Sequence, residues 1–593
     1  MKKFRLTSQF GGYRNKRDKT NIGAGFLVEG SQNVVINDAE KIQAREGYTL
    51  DGQASTATKP PRDSFEWITS SGTGLPLRFQ DDELQFRFIA SDATITWEKV
   101  ADGFSTTDRM NFTTYWVVAL ATDQLIFVNG DDNLFQWNGA VTTFASDTGS
   151  TITKEGTTTW AQDRFFISSN QTIVLNGVEY SYSGGVTTTT LTGVTPDPTL
   201  TTNTAGDVII QKVVTNASKP SVGLSNDIVA TNRNQLWVGD KTLRDINISK
   251  NDDFTDFAFS SPRLPGEGAL ITIDSTPVGF VVQEEDMYIS GIRNDWYRSS
   301  FTLSSDNTAE ILEIKKLKTS EEQGALDQGA IAKIKNQVVF ISNEPTLDTL
   351  GRLENLTTPQ AKPLSDLIKT DFDTFDFTDA HVKYHKNKIN IVLPAESVWL
   401  VFDIERQFWY PPQIVPFQRL AVIDGDLYAH SSAVTETYKL FDGFNDNGAP
   451  IEARATFAYR LYGRRDWQKT FDEWFTEGYI SSNTDITLRL KYEFDGAETI
   501  QEFVIAGDDD TIIFSGAGDP SLGKASLGKE PLGSSVTSPD EVSKFRVIQT
   551  TVKTDFYEIQ AEYESNQQDA QWELLATGGN VLLSSNDNIS IKK

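Results

Sequence analysis

Residues 125–139 read LIFVNGDDNLFQWNG. An apolar run, a turn from Asn129 to Asn133 that carries Gly130 and two aspartates, and a second run ending at Trp137 together spell a β-hairpin. Asn, Asp and Gly accept the backbone conformations a tight turn needs, while the flanking β-branched and aromatic residues suit a pleated surface. The same cadence returns at 164–177 (RFFISSNQTIVLNG), 233–249, 286–299 (DMYISGIRNDWYRS), 336–353, 388–410 and 425–443. These seven units start mostly about 40 to 55 residues apart, the length one four-stranded propeller blade consumes. A hairpin cannot bury both faces alone, so neighbours must stack, and closing them into a ring leaves only short edges. A row of β-sandwiches with similar hairpins is the competing architecture.

Helical periodicity is nearly absent. The helix candidates are Ser365 to Lys369, within PLSDLIKTDF, and Ser320 to Ala325. The class read from the chain is therefore all-β. After about residue 445 the strands lengthen and alternate plainly, as in DITLRLKYEF at 485–494 and FYEIQAEYES at 556–565, which suggests a β-sandwich-like domain. The expected division is a basic arm and first hairpin over 1–60, a β-propeller over 61–445, and a C-terminal β-domain over 446–593. The propeller is expected to hold a Thr-rich insertion near 178–230, and the C-terminal domain a Gly-rich loop at 515–535. The insertion centres on TTTTLTGVTPDPTLTTNTAG at 187–206, and the Gly-rich loop contains SLGKASLGKEPLGSS at 521–535.

Charge narrows the function classes. The chain carries 54 Lys and Arg against 82 Asp and Glu, a net charge of −28 that opposes nucleic-acid binding over most of the surface. The exception is 1–20, where Lys2, Lys3, Arg5, Arg14, Lys16, Arg17 and Lys19 face only Asp18, the pattern of a basic arm that docks on an acidic neighbour. The absence of Cys removes disulfides, thiolate metal sites and Cys nucleophiles together and fits a reducing cytosol. The positive N-terminus is not followed by the apolar run of a signal peptide, and no stretch is long enough to span a membrane.

Residues that could carry chemistry do not assemble into a site. GDPSLGKA at 518–525 matches a phosphate loop at both glycines and Lys524, but Ala525 stands where a magnesium-binding hydroxyl belongs. Gly528, Pro531 and Gly533 then preclude the helix that would receive phosphate. His381 and His385, in HVKYH, fall on a strand roughly 13 Å apart, too far to share one metal, and His430 stands alone. Asp371, Asp373, Asp376 and Asp379 lack the Gly and distal Glu of a calcium loop. No G-x-S-x-G elbow occurs, and no pair of carboxylates stands out for glycoside hydrolysis. The expectation is a protein that is not an enzyme and holds no cofactor or metal.

The block TNIGAGFLVEGSQNVVINDAEKIQAREGYTLDG at 20–52 resembles the start of bacteriophage tail nozzle and tail-hub proteins, of the tail tubular B and packaged-DNA-stabilisation type. There an Asn, here Asn33, precedes a strand, a polar turn, and an Arg before a Gly-Tyr, here Arg45, Gly47 and Tyr48. Val34 to Ile36 can pair with Ile42 to Ala44 around Asn37 to Glu40. The likeness continues in order through 125–139, 246–257, 286–297, 400–412 and 440–457, and fades over the last ninety residues.

The resemblance implies a structural virion protein, assembled in the host bacterial cytoplasm. Its subunits would form a homo-oligomeric ring, commonly of six, between portal and head–tail adaptor proteins and tail fibres or spikes. That ring would retain packaged double-stranded DNA and let it leave along an acidic lumen, with no membrane span. Two other readings stay open. One is a receptor-binding adhesin that recognises glycans through Trp296, Tyr297, Trp409 and Tyr410, residues that equally suit a blade core; the other is a propeller glycoside hydrolase.

Overall fold

The computed structural model describes residues 2–583 except 8–9, 16–21, 23–24, 53–56, 91, 106–108, 119–121, 131–133, 166–170, 216–226, 262, 304–309, 318–322, 336, 352–362, 460–468, 482–483, 495–496, 508–541, 551–554 and 557. Alternating strands and turn residues give a β-propeller, and their pairing counts its blades. Meanders of antiparallel strands lie at 63–101, 111–137 closed by Val214–Thr215, 228–272, 277–316, 331–349, 381–409, and 417–440 closed by Tyr48–Leu50. The first strand of each meander is innermost. From the second blade to the seventh these strands pack one against the next, and the seventh packs back on the first. Phe65 stacked on Phe112 at 5.3 Å joins the first blade to the second and completes the ring.

The turns explain why the blades twist as they do. The first hairpins of the third and sixth blades turn at pairs of left-handed residues, Arg233 and Asn234, then Lys386 and Asn387; that of the seventh turns at Asp424 and Gly425. Two consecutive positive φ angles make the turn whose twist matches paired strands.

The ring is closed by a strand from the other end of the chain. Tyr48–Leu50 pairs antiparallel with Thr437–Leu440 as the outer strand of the seventh blade, so the blade cannot form until both ends meet. The first blade supports the closure with buried arginines. Arg87 forms a buried ion pair with Asp51 at 2.8 Å, and Arg78 donates to Thr437 Oγ1 at 3.0 Å and to Gln85 Oε1 at 2.7 Å. These polar residues interrupt the apolar alternation of 74–89, which is why that blade does not stand out in the sequence.

Seven hairpins are legible in the sequence and seven blades exist, but one member differs. The hairpin at 164–177 does not belong to a blade. Its strand Thr172–Leu175 lies in a six-stranded sheet with Val141–Thr148, Thr151–Lys154, Val178–Ser181, Thr190–Thr192 and Val208–Gln211. This lobe is inserted between the third and fourth strands of the second blade, spans 141–211 instead of 178–230, and has its own core around Trp160, Phe165, Ile173, Tyr180 and Ile209. The Thr-rich run supplies one of its strands and the short 3-10 turn Pro198–Leu200.

The C-terminal sheets form a sandwich, and the N-terminal segment is woven into it. One sheet runs Val34–Ile36, Ile42–Ala44, Trp572–Leu583, Lys469–Ser481, Val542–Thr550. The other runs Ala453–Thr456, Glu558–Ser565, Asp485–Phe494, Ala497–Ala506. Between them Tyr563 receives the Trp474 indole N–H at 3.1 Å and shares hydroxyl contacts with Thr476 and Thr577 at 2.9 and 2.5 Å, a satisfied buried polar knot.

Residues before 61 are thus not a unit by themselves. Lys2–Thr7, expected as part of a basic arm, is a strand paired with 577–581 of the same chain, and the hairpin at 34–44 forms as expected but inside the sandwich. Backbone pairing within the chain is available at that edge, which an arm reaching for a partner would leave unused. The largest hydrophobic core is continuous from the fifth to seventh blades into the sandwich, through Phe10, Leu27, Val34, Trp409, Phe457 and Tyr563.

The helix expected at 365–369 exists as a 3-10 turn Leu364–Ile368 running into the α-helix Lys369–Thr374. At 320–325, residues 320–322 lie outside the described residues, and Ala325 makes a β-bridge to Ser342 where a helix was expected.

Candidate functional site: the junction and the axis

The four residues that carry the family resemblance meet in one place. Asn33 takes a left-handed backbone, φ 52°, which Asn tolerates better than most residues. Its side-chain oxygen accepts from Arg45 Nε at 3.2 Å and from the Ile414 amide at 2.8 Å, and its Nδ2 donates to Glu452 O at 2.9 Å. Arg45, 4% exposed, grips Asp446 with both terminal nitrogens at 2.7 and 2.5 Å. Burial holds the Asp446 carboxyl above its usual range against the pull of that guanidinium.

Gly47 lies against the 442–446 loop so closely that a Cβ there would sit 1.9 Å from Asn445 O. Tyr48 packs its ring on Phe417 at 5.1 Å and Tyr438 at 4.7 Å. Four short-range motif residues therefore fasten the sixth blade, the seventh blade and the start of the sandwich. The arrangement is a structural joint: every polar group just named has its partner within the protein.

A second cluster lies where the innermost strands begin. Arg109, just before the second blade, pairs with Asp327 at 2.6 Å beside the fifth blade and with Asp379 beside the sixth. Arg419 of the seventh blade pairs with Asp63 of the first at 3.3 Å and donates to Asp379 O at 2.9 Å. Asp63 also accepts the Met110 amide at 2.9 Å. Burial pushes the Asp63 carboxyl up and the Arg419 guanidinium down, each held back by the other. On the sixth blade burial also lowers Lys383. Nothing in the sequence signalled this cluster, whose members are scattered from 63 to 419 and acquire meaning only when the ring closes.

The remaining sequence candidates are dispersed. His381 Nδ1 accepts from the Leu420 amide at 3.2 Å, His385 Nε2 meets Gly425 O at 2.9 Å, and His430 Nδ1 meets Thr437 Oγ1 at 3.0 Å. All three are held low by burial, His430 down to about 3.

The four aspartates separate as well. Asp371 is buried and accepts from Asn15 at 2.8 Å, Asp373 meets Lys369, Asp376 accepts from the Thr378 amide, and Asp379 meets Arg109. Among the described residues no group of His, Asp or Glu could hold a metal ion. Trp296, Tyr297, Trp409 and Tyr410 are all core residues, at most 3% exposed. The phosphate-loop-like 518–525 and the Gly-rich 515–535 lie outside the described residues.

A cleft of ≈ 330 Å³ separates the first blade from the inserted lobe, with Phe104, Phe135 and Val213 among its walls and the ion pairs Lys99–Asp102 and Lys212–Glu179 at its rim. No helix among the described residues is long and apolar enough to cross a membrane.

No protein-family model and no curated protein matches the chain. Solved structures align at low identity. BBS1N, from a complex with ARL6DN, is 12% identical over 68% of this chain and 100% of its own, with a TM-score of 0.30. Kluyveromyces lactis Hsv2 is 8% identical over 60% of this chain and 97% of its own, with a TM-score of 0.22. The propeller itself rests on its sheet order and ring closure.

Proposed function

We propose that this chain is a structural virion protein of a bacteriophage tail, a nozzle or hub subunit whose copies form a ring, six-fold by the family resemblance. The ring continues the portal and adaptor channel, retains packaged DNA and lets it leave along an acidic lumen. One observation carries the reading: the block at 20–52 that bears the resemblance supplies the strand that closes the propeller and the joint to the sandwich. A net charge of −28 suits a conduit for DNA, because carboxylates repel the phosphates that slide past them. Burial of Trp296, Tyr297, Trp409 and Tyr410 removes the aromatic surface on which the glycan-binding reading relied. The carboxylates at the axis are committed to Arg109 and Arg419, which leaves no free pair there for glycoside hydrolysis.

The test is the mass and symmetry of the full-length protein, by mass photometry and electron-microscopy class averages, alone and with portal and adaptor proteins added. A closed ring in either condition is expected. A stable monomer or trimer that binds cells or glycans and ignores the portal would overturn the reading.

A further inference from the structure

The partners of Arg109 lie in the wrong place for a local anchor. Arg109 ends the connection from the first blade to the second, and Asp63 of the first blade stands next to it, bonded to the Met110 amide. A residue that merely pinned this connection would use Asp63. Instead the guanidinium divides between Asp327 and Asp379, which precede the innermost strands of the fifth and sixth blades. In a ring of seven, the second blade stands about 150° from the fifth and the sixth alike. The fork therefore spans the ring from one wall to the other.

Space is kept for it. A Cβ on Gly329 would lie 3.1 Å from Arg109 Nη1 and 3.5 Å from Ala380 O, so the fifth-blade turn passes the fork only because it has no side chain there. The charges around the fork balance: Arg109, Arg419 and Lys383 against Asp63, Asp327 and Asp379, with His381 neutral beside them. Arg419 links the first blade to the seventh and, through Asp379 O, to the sixth, so the cluster engages the first, second, fifth, sixth and seventh blades. At the other ends of the innermost strands the ties run only between neighbours, as in Arg233 to Glu285 and Lys386 to Asp426.

We propose that Arg109 is a strut across the propeller axis, which holds the ring closed and obstructs that mouth of its tunnel. Any solute that enters the tunnel does so from the rim formed by the turns at 233–234, 284–285, 386–387 and 424–425. The proposal is independent of the tail reading, since it concerns one subunit.

Hydrogen exchange by mass spectrometry on full-length Arg109→Gln tests it. A strut predicts exchange roughly tenfold faster on the far side of the ring, at 325–334 and 379–385, with the sandwich strands at 472–481 and 572–577 unchanged. Acceleration confined to 102–112 would make Arg109 a local anchor and overturn the proposal. Should Arg109→Gln fail to fold, the double variant Asp327→Asn with Asp379→Asn reads the same coupling backwards. Faster exchange at 109–117 supports the strut, and unchanged exchange there contradicts it.

Discussion

The propeller carries two appendages, the inserted lobe at 141–211 and the sandwich after 445, and they are attached in opposite ways. The lobe has its own core, and its ends meet: the Gln211 amide donates to Ala140 O at 2.9 Å. The sandwich has no core of its own, because Phe10, Leu27, Val34, Trp409, Phe457 and Tyr563 belong to one apolar cluster that runs into the blades. It is also crossed by the N-terminal strands before they reach the seventh blade. An element that buries its apolar face internally can be added to a closed ring at little cost to the ring. One that shares the core becomes part of the folding unit.

Substitutions at the joint and removal of the lobe probe that difference. The largest effect is expected from Gly47→Ala, because the new methyl would meet a backbone carbonyl at 1.9 Å, where neither side can yield without unpairing the closing strand. Loss of the cooperative thermal transition for propeller and sandwich together is expected, read by calorimetry. Arg45→Ala leaves Asp446 buried without its cation, a change that costs about 3–5 kcal/mol in comparable buried pairs, and urea unfolding should show it.

Asp371 gives a pH-dependent contrast of smaller size. Burial pushes its carboxyl up to about 6, although Asn15 and Tyr13 donate to it. A folded-state value above the unfolded one means that the protonated acid is favoured by the fold. Its stability contribution is fully present below about pH 4 and is lost as pH rises through about 6, up to about 3 kcal/mol in all. Asp371→Asn should therefore stabilise the protein at pH 8 and change little at pH 4, as measured by urea titrations at both. The smallest effect is expected from excising 141–210 and joining Ala140 to Gln211 through a short turn. The propeller's thermal midpoint should fall by only a few degrees, corresponding to about 1 kcal/mol.

What the sequence shows and hides follows the same division. Local chemistry is legible: the hairpin turns, the longer strands after 445 and the Asn33, Arg45, Gly47, Tyr48 motif all read correctly as elements. Membership in a sheet is not local. The hairpin at 164–177 has the composition of a blade hairpin and joins the lobe instead, while the first blade hides behind Arg78, Gln80, Gln85 and Arg87. Those residues are buried because Asp51, Thr435 and Thr437, far away in the chain, satisfy most of them. The axial cluster is hidden for the same reason, since Arg109 finds its partners 218 and 270 residues further on.

The most direct test of this account is native-state hydrogen exchange of the full-length protein across a urea series, followed peptide by peptide. The account predicts one shared opening free energy for the fifth to seventh blades and the sandwich strands, with the lobe opening separately. Sandwich peptides that open at lower urea than 381–440, while the blades stay protected, would contradict it.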